Sequence, residues 1–221
     1  MSNAYIFLGP PGAGKGTLGE IFCQRTGVIH ISTGQLLRDE MAAGTELGNQ
    51  VKSLIASGAL VGDEIVTAMV ASRLAKADAQ EKGVLLDGYP RTVAQAESLK
   101  QILADTGIAM GAAVMVDAPR EILMKRLTGR RMCTNKECGA IYNIYNVAPA
   151  KEGICDRCGA ELYQRSDDTE ATVLGRLKVY DEQTAPVIGF YEAEKSLVVV
   201  EDADTTIEEN YKRLLGALKL D

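Results

Sequence analysis

Apolar positions along this 221-residue chain follow two alternating patterns. Short, mainly apolar runs at 5–8, 28–31, 84–87, 112–117 and 197–200 have the length and composition of strands buried on both faces. Between them, longer stretches space their apolar side chains three and four apart, as amphipathic helices do. Leu18, Ile21 and Phe22 give the first such stripe, and Leu36, Leu37 and Met41 open a second. Further helices are predicted over 47–57, 64–76, 92–104, 119–128, 170–183 and 206–219. Pro119 suits a first helical turn, Thr206 with Glu209 fits a capping box, and Pro186 should break or kink any helix approaching it. Strands alternating with helices imply an α/β fold, a parallel five-stranded sheet flanked by helices, with one core domain spanning 1–221.

Residues 129–168 interrupt this alternation with four cysteines, many turn residues and little helical periodicity. They read as an insertion whose ends lie on helices, so that it can move as a unit without disturbing the sheet. Four residues lie between Cys133 and Cys138, two between Cys155 and Cys158, and sixteen separate the pairs. Each spacing falls in the range of structural zinc sites, and four thiolates leave no open coordination position. Free thiols or a redox pair are the alternatives. Cys23 lies in a predicted helix away from the others and reads as a small buried residue.

The hydrophobic content of 46% is enough for one large core. A formal charge of −6 and a pI near 5.0 speak against a nucleic-acid binder or an anionic-membrane binder, since either needs a broad basic surface. The insertion is no exception. Arg130, Arg131, Lys136, Lys151, Arg157 and Arg165 are matched there by Glu137, Glu152, Asp156, Glu161, Asp167 and Asp168. No apolar run approaches the roughly 18 residues of a membrane span, and 5–8 is too short for a signal peptide, so a cytoplasmic location is expected. In a reducing compartment the cysteines read as ligands or core residues, not disulfides.

The chemistry is concentrated after the first strand, where residues 9–17 read Gly-Pro-Pro-Gly-Ala-Gly-Lys-Gly-Thr. Glycines let successive backbone N–H groups face one point, and the following helix aims its positive dipole end there, making a P-loop-like phosphate cradle. Lys15 would reach the β- and γ-phosphates, and Thr17 offers a hydroxyl. The strict pattern asks for Ser or Thr at position 16, which here is Gly16. Residues 32–38 (Ser-Thr-Gly-Gln-Leu-Leu-Arg) follow the second strand and 87–91 (Asp-Gly-Tyr-Pro-Arg) the third. Strand ends of open α/β sheets face the ligand crevice, so Thr33, Arg38, Asp87 and Arg91 should converge beside the loop. Arg126, Arg130, Arg165 and Arg176 bracket the insertion and could reach the same crevice, whereas Arg25, Arg73, Arg120 and Arg213 read as surface residues.

Taken together, residues 9–17, 32–38, 87–95, 127–131, 164–168 and 176–177 resemble the bacterial adenylate kinases of the long-lid, zinc-containing type, and the likeness spans nearly the whole chain. The resemblance implies reversible phosphoryl transfer, MgATP plus AMP giving two ADP. It implies a helical AMP-binding arm over 32–61 and a zinc-ribbon-like lid over 129–168, whose closure excludes water. ATP would meet Gly12, Ala13, Gly14, Lys15, Gly16 and Thr17, with Arg126, Arg130, Ile141, Tyr142 and Thr205 around it. AMP would meet Thr33, Arg38, Ala59, Leu60, Val61, Gly88, Tyr89, Pro90, Arg91 and Gln95, with Arg165 and Arg176 on the phosphates. Lys15, Arg91, Arg130, Arg165 and Arg176 are the implied catalytic residues, and Asp87 would orient Mg²⁺ through water. Cys133, Cys138, Cys155 and Cys158 would hold zinc, although the first pair departs from the family's usual two-residue spacing. The implied partners are ATP, AMP and ADP, with no nucleic acid or membrane, and the implied state is a monomer.

Two other functions fit parts of the pattern. A kinase of UMP or CMP, or one using GTP as donor, would share the loop and arginines. A nucleotide-dependent switch would share only the loop; a second nucleotide site would be superfluous in it, and 135–138 (Asn-Lys-Glu-Cys) fails the guanine signature N-K-x-D. Transfer to a phosphate monoester needs no general base, because the second phosphate pKa near 6 leaves the acceptor largely dianionic at pH 7. That suits a chain whose one histidine, His30, lies in a predicted strand.

Overall fold

The computed structural model describes residues 2–201 and 206–220. In chain order, β1 (Asn3–Leu8) leads into α1 (Lys15–Thr26), β2 (Ile29–Ser32), α2 (Thr33–Ala43), α3 (Glu46–Ser57), α4 (Asp63–Leu74), α5 (Ala77–Lys82) and β3 (Val84–Asp87). Then come α6 (Val93–Thr106), β4 (Ala109–Asp117), α7 (Arg120–Thr128), three short strands β5 (Arg130–Cys133), β6 (Ile141–Asn143) and β7 (Leu162–Tyr163), and α8 (Glu170–Val179). The chain continues through α9 (Pro186–Ala193), β8 (Leu197–Glu201) and α10 (Ile207–Leu218).

β1, β2, β3, β4 and β8 form one parallel sheet in the order β2-β3-β1-β4-β8. Successive side chains of a strand point to opposite faces, and here each face has its own core. Ala4, Ile6 and Leu8 of β1 join Leu86, Val70, Leu99 and Val187 on one side. Tyr5 and Phe7 join Leu18, Phe22, Leu123, Leu177 and Leu214 on the other. Apolar residues on both faces are what makes these strands read as nearly continuous apolar runs.

Strand order reverses at β1: from β1 the chain crosses to β2, returns to β3 beside β1, and then passes to β4 on the far side. Ligand crevices of open α/β sheets form at such points, beyond the carboxyl ends of the strands. The register sets Phe7 beside Asp87 and Asp87 beside Ser32. The segments opening at Gly9, Thr33 and Gly88 therefore leave the sheet side by side.

Several boundaries differ from the sequence reading. β4 begins at Ala109, three residues early, because Ala-Met-Gly carries little apolar signal yet pairs with the start of β1 across a register shift. Helix α5, only six residues long, shows too little periodicity to be read. Pro119 is the cap before α7 and not its first turn. The α-helix approaching Pro186 is interrupted, as expected, and ends at Val179. Beyond α8 a π-helical turn over Tyr180–Thr184 carries the Ala185 N–H to the Tyr180 carbonyl at 2.8 Å, and Pro186 follows as the first residue of α9, where a missing N–H costs nothing.

Between α7 and α8, β6, β5 and β7 make a small antiparallel sheet with its own core of Cys133, Ala140, Tyr142 and Cys155. These strands of two to four residues are too short for period-two alternation to be visible in sequence. No helix among the described residues is long and apolar enough to cross a membrane.

Candidate active site

Gly9 turns the chain out of β1 where nothing larger fits. A Cβ there would lie 1.9 Å from the Val116 carbonyl oxygen, at a φ of +135°. Gly14, at φ 90°, caps α1 in the left-handed region that glycine adopts without strain. Between these residues the loop folds back on itself, the Ala13 N–H reaching the Pro10 carbonyl at 3.2 Å. Gly16 and Thr17 are exposed on the first turn of α1, and Gly12 packs against Leu123 and Leu127 of α7.

The Lys15 ammonium donates to the carbonyls of Gly9 and Pro10 at 2.7 and 2.8 Å. Burial lowers its pKa to about 8; Asp87 opposes that shift, while the cations Arg91, Arg176 and Arg130 add to it. Asp87 ends β3 beside the start of α1, its Oδ2 3.5 Å from where a Cβ on Gly16 would stand and 3.9 Å from His30 Nε2. A carboxylate beside this loop is the donor type that suits Mg²⁺ and its waters.

Arg91 follows the Gly88 turn and its Nε donates to the Gly88 carbonyl at 2.8 Å. Arg38 on α2 donates to the Gln35 side-chain oxygen at 3.1 and 3.3 Å. Burial lowers the pKa of both, and neighbouring cations, Arg176 for each, lower them further. Arg165 is pushed down to about 9 by burial, then by Arg130 and Arg38, and its buried Nε has no hydrogen-bond partner. These couplings bring six of the cations named from sequence, Lys15, Arg38, Arg91, Arg130, Arg165 and Arg176, into one electrostatic cluster. Arg126 of α7 lies beside it, its Nη1 3.9 Å from a would-be Cβ on Gly14.

Two acidic residues that sequence reasoning assigned no role hold part of this cluster. Asp168, fully enclosed, takes Arg130 through two bonds of 2.8 and 2.6 Å and Arg176 at 3.1 Å. Arg176 also donates to the Asp167 carbonyl at 3.0 Å and meets the Asp167 carboxylate at 3.1 Å. Their sequence signals were position, as two adjacent acids between Arg165 and Arg176, and membership of the 164–168 stretch that carries the family resemblance, and neither named a role.

Thr33 is buried and donates to the Gly88 carbonyl at 2.8 Å, tying the start of α2 to the loop after β3. Ala59 and Leu60 lead to the buried Val61 ahead of α4. Tyr89 lies wholly in the core, its hydroxyl bonded to Thr67 and to the Gln95 carbonyl, and Pro90 is buried. Of these two residues only the backbone is left to meet a ligand. Gln95 is buried and held by Arg91 N and by Asp63, a residue that the sequence reading left unassigned.

Ile141 is exposed on β6, but the adjacent Tyr142 points its hydroxyl into the cysteine cluster, 3.6 Å from Cys155 Sγ and accepting from the Asp156 N–H at 2.8 Å. Its side chain is thus part of the module's interior. Thr205 lies outside the described residues. The turn between β5 and β6 meets α2, with Lys136 Nζ 3.5 Å from Asp39 Oδ1. The Arg176 stem packs on Gly58 at the end of α3.

Cys133, Cys138, Cys155 and Cys158 bring their sulfurs within 4.8 Å of one another. Cys133 to Cys158 is 3.4 Å and Cys138 to Cys155 is 3.7 Å. Sulfurs about 2.3 Å from a tetrahedral zinc lie about 3.8 Å apart, whereas a disulfide needs about 2.05 Å. The set therefore fits a metal and not a pair of disulfides. Burial opposes ionisation of Cys155, yet hydrogen bonds from the Tyr142 hydroxyl and from the backbone N–H groups of Cys158 and Arg157 bring it down to about 6. Cys133 joins the cluster despite the longer spacing, because residues 135–139 close a turn through Cys138 N–H and Gly139 N–H to the Asn135 carbonyl. Cys23 is half-buried against the second core, away from this module.

The family model of adenylate kinase matches residues 7–196. Among curated relatives, the adenylate kinase of Kosmotoga olearia is 47% identical over 212 residues, covering 95% of this chain and 97% of its own. That of Desulforudis audaxviator is 47% identical over 213 residues, covering 96% and 98%. That of Caldicellulosiruptor bescii is 46% identical over 216 residues, covering 98% and 99%.

Proposed function

Because the chain belongs to the adenylate kinase family, and so catalyses reversible phosphoryl transfer from ATP to AMP to give two ADP, we propose how its residues divide that work. The loop over 12–17 and Lys15 hold the β- and γ-phosphates of ATP, with Arg126, Ile141, the Tyr142 backbone and Thr205 around the rest of that nucleotide. Thr33, the 59–61 backbone, the 88–90 backbone and Gln95 receive the AMP nucleoside, and Arg38 and Arg91 its phosphate. Arg130, Arg165 and Arg176 span the phosphoryl group in transit. Asp87 would hold Mg²⁺ through water, and the ion brought with ATP would supply positive charge to offset that of the β- and γ-phosphates.

One observation carries this reading. Lys15, Arg38, Arg91 and Arg165 share a cleft yet, among the described residues, none is ion-paired, and their bonds run only to neutral oxygens or to nothing. Burial and mutual repulsion destabilise each charge. Such a cluster is complementary to polyphosphate, and in a closed, water-poor site it stabilises the negative charge carried through transfer. His30 needs no part in proton transfer, because the acceptor phosphate is already largely dianionic at neutral pH.

Residues 32–61 act as an AMP-binding arm and 129–168 as a lid that closes to keep water from the γ-phosphate. The Lys136–Asp39 contact supports a meeting of the two. Zinc in the lid is structural, since four sulfurs leave no position for substrate. The enzyme works as a cytoplasmic monomer and binds neither nucleic acid nor membrane, in keeping with its charge of −6. ATP is the donor and AMP the acceptor. The test is ADP formation measured with ATP or GTP against AMP, UMP and CMP. Highest kcat/KM for the ATP and AMP pair supports the assignment, and a preference for another pair overturns it.

A further inference from the structure

Gln95 is only 2% exposed, and both ends of its amide are already engaged. Oε1 accepts from the Arg91 N–H at 2.7 Å, and Nε2 donates to Asp63 Oδ1 at 2.8 Å. The other carboxylate oxygen, Asp63 Oδ2, accepts from the Thr92 hydroxyl at 2.7 Å. That hydroxyl also accepts from the Gln95 N–H at 3.2 Å and so caps α6. Asp63 itself opens α4, two residues after Val61. One carboxylate thus ties the segment before α4 to the start of α6.

An amide held by a donor at one end and an acceptor at the other has one permitted orientation. Turned over, its carbonyl would face the Asp63 carboxylate and its NH₂ would face the Arg91 N–H, two repulsive contacts in a buried site. What remains for a ligand is one N–H of Nε2 and one lone pair of Oε1. Adenine offers the complement, an acceptor at N1 and a donor at N6. A 6-oxo purine offers the reverse, a donor at N1 and an acceptor at O6.

We propose that Asp63 is a positioning residue for specificity: by pinning the Gln95 amide, it makes the acceptor site select a 6-amino purine monophosphate over a 6-oxo one. This rests on Gln95 being the base contact assigned above. Asp63 itself touches no substrate.

The experiment compares kcat/KM for AMP with that for IMP, which differs only in the 6-substituent and the N1 proton. The proteins are the unmodified chain, Asp63→Ala, Asp63→Asn and Gln95→Ala, with melting recorded for each. Asp63→Ala should lower the AMP-to-IMP ratio by about tenfold or more, since selectivity of this kind comes from leaving polar groups unpaired. Asp63→Asn keeps a carbonyl for Gln95 Nε2 and an amide N–H for the Thr92 hydroxyl, and should hold the ratio within about threefold of the unmodified chain. Should Asp63→Ala not fold, Thr92→Val, which frees one carboxylate oxygen, should lower the ratio several-fold. An unchanged ratio in Asp63→Ala or Thr92→Val, with Gln95→Ala altering it, overturns the pinning role alone. An unchanged ratio in Gln95→Ala overturns the base contact and the proposal with it.

Discussion

Replacing Asp168 by Asn tests whether the cleft depends on its buried carboxylates. Asp168 is fully enclosed and anchors Arg130 at 2.8 and 2.6 Å and Arg176 at 3.1 Å. Asparagine keeps the shape but removes the charge, and turns one acceptor into an NH₂ group facing a guanidinium. Breaking a buried ion pair on one side costs about 3–5 kcal/mol, because the partner's charge is left uncompensated. In a chain of this size each kcal/mol lowers Tm by about 2–4 °C, so a fall of about 6–20 °C is expected by calorimetry or circular dichroism. A polyanion in the cleft supplies the missing negative charge. A dinucleoside pentaphosphate should therefore raise the Tm of Asp168→Asn more than it raises that of the unmodified chain. A Tm within about 2 °C of the unmodified value, or equal shifts with the ligand, would refute the reasoning.

Lys15→Met should cut kcat by about 10² or more without lowering Tm, since burial already destabilises that charge; a loss of only a few-fold speaks against its role. Arg91→Ala should lower kcat by about 10² to 10³, and a rise in the KM for AMP alone would make Arg91 a uniform binder. Lys15 has a pKa of about 8 in the folded chain against an ordinary 10.5, so the unfolded chain binds the extra proton between those values. The stability deficit from Lys15 is accordingly complete below about pH 8 and relieved as pH rises towards 10.5. Because phosphate favours the protonated amine, nucleotide binding near pH 8.5 should take up a proton, read by calorimetry in buffers of different ionisation enthalpy; equal heats would contradict it. Removing zinc, or making Cys155→Ser, should lower Tm and open 129–168 to proteolysis while the parallel sheet stays folded; absence of bound metal, or melting unchanged by its removal, rejects structural zinc.

What sequence made legible was whatever is local. The five strands of the parallel sheet stood out because both faces are buried, and the phosphate loop because its nine residues are consecutive. Elements shorter than two periods of their own pattern did not, as α5 and β7 illustrate. Pro186 marked an interruption because a proline forbids an N–H bond, which suits it to the first position of a new helix after a π turn. Asp63 was invisible for a different reason. Its partner Gln95 lies 32 residues away, and only the packing of α4 on α6 brings them to 2.8 Å. Asp168 sat in plain view, but in a run of charges where an exposed acid is the ordinary reading.

Exposure alone does not sort the arginines of this chain; the identity of their acceptors does. Arg25, Arg73 and Arg120 each meet a carboxylate on the surface, at Glu208, Asp78 and Asp181. Pairs of that kind contribute little and are screened by salt. Arg130 and Arg176 are anchored by the enclosed Asp168, which fixes their direction before any ligand arrives. Arg38 and Arg91 are held by neutral oxygens, and Arg165 has a bare Nε. The fold therefore orients part of the cluster with protein anions and leaves the rest electrostatically unsatisfied, in a chain whose overall charge is negative. Since the unsatisfied members come from α2, from the loop after β3 and from the segment before α8, any polyanion that pairs with them must bridge three separate parts of the chain.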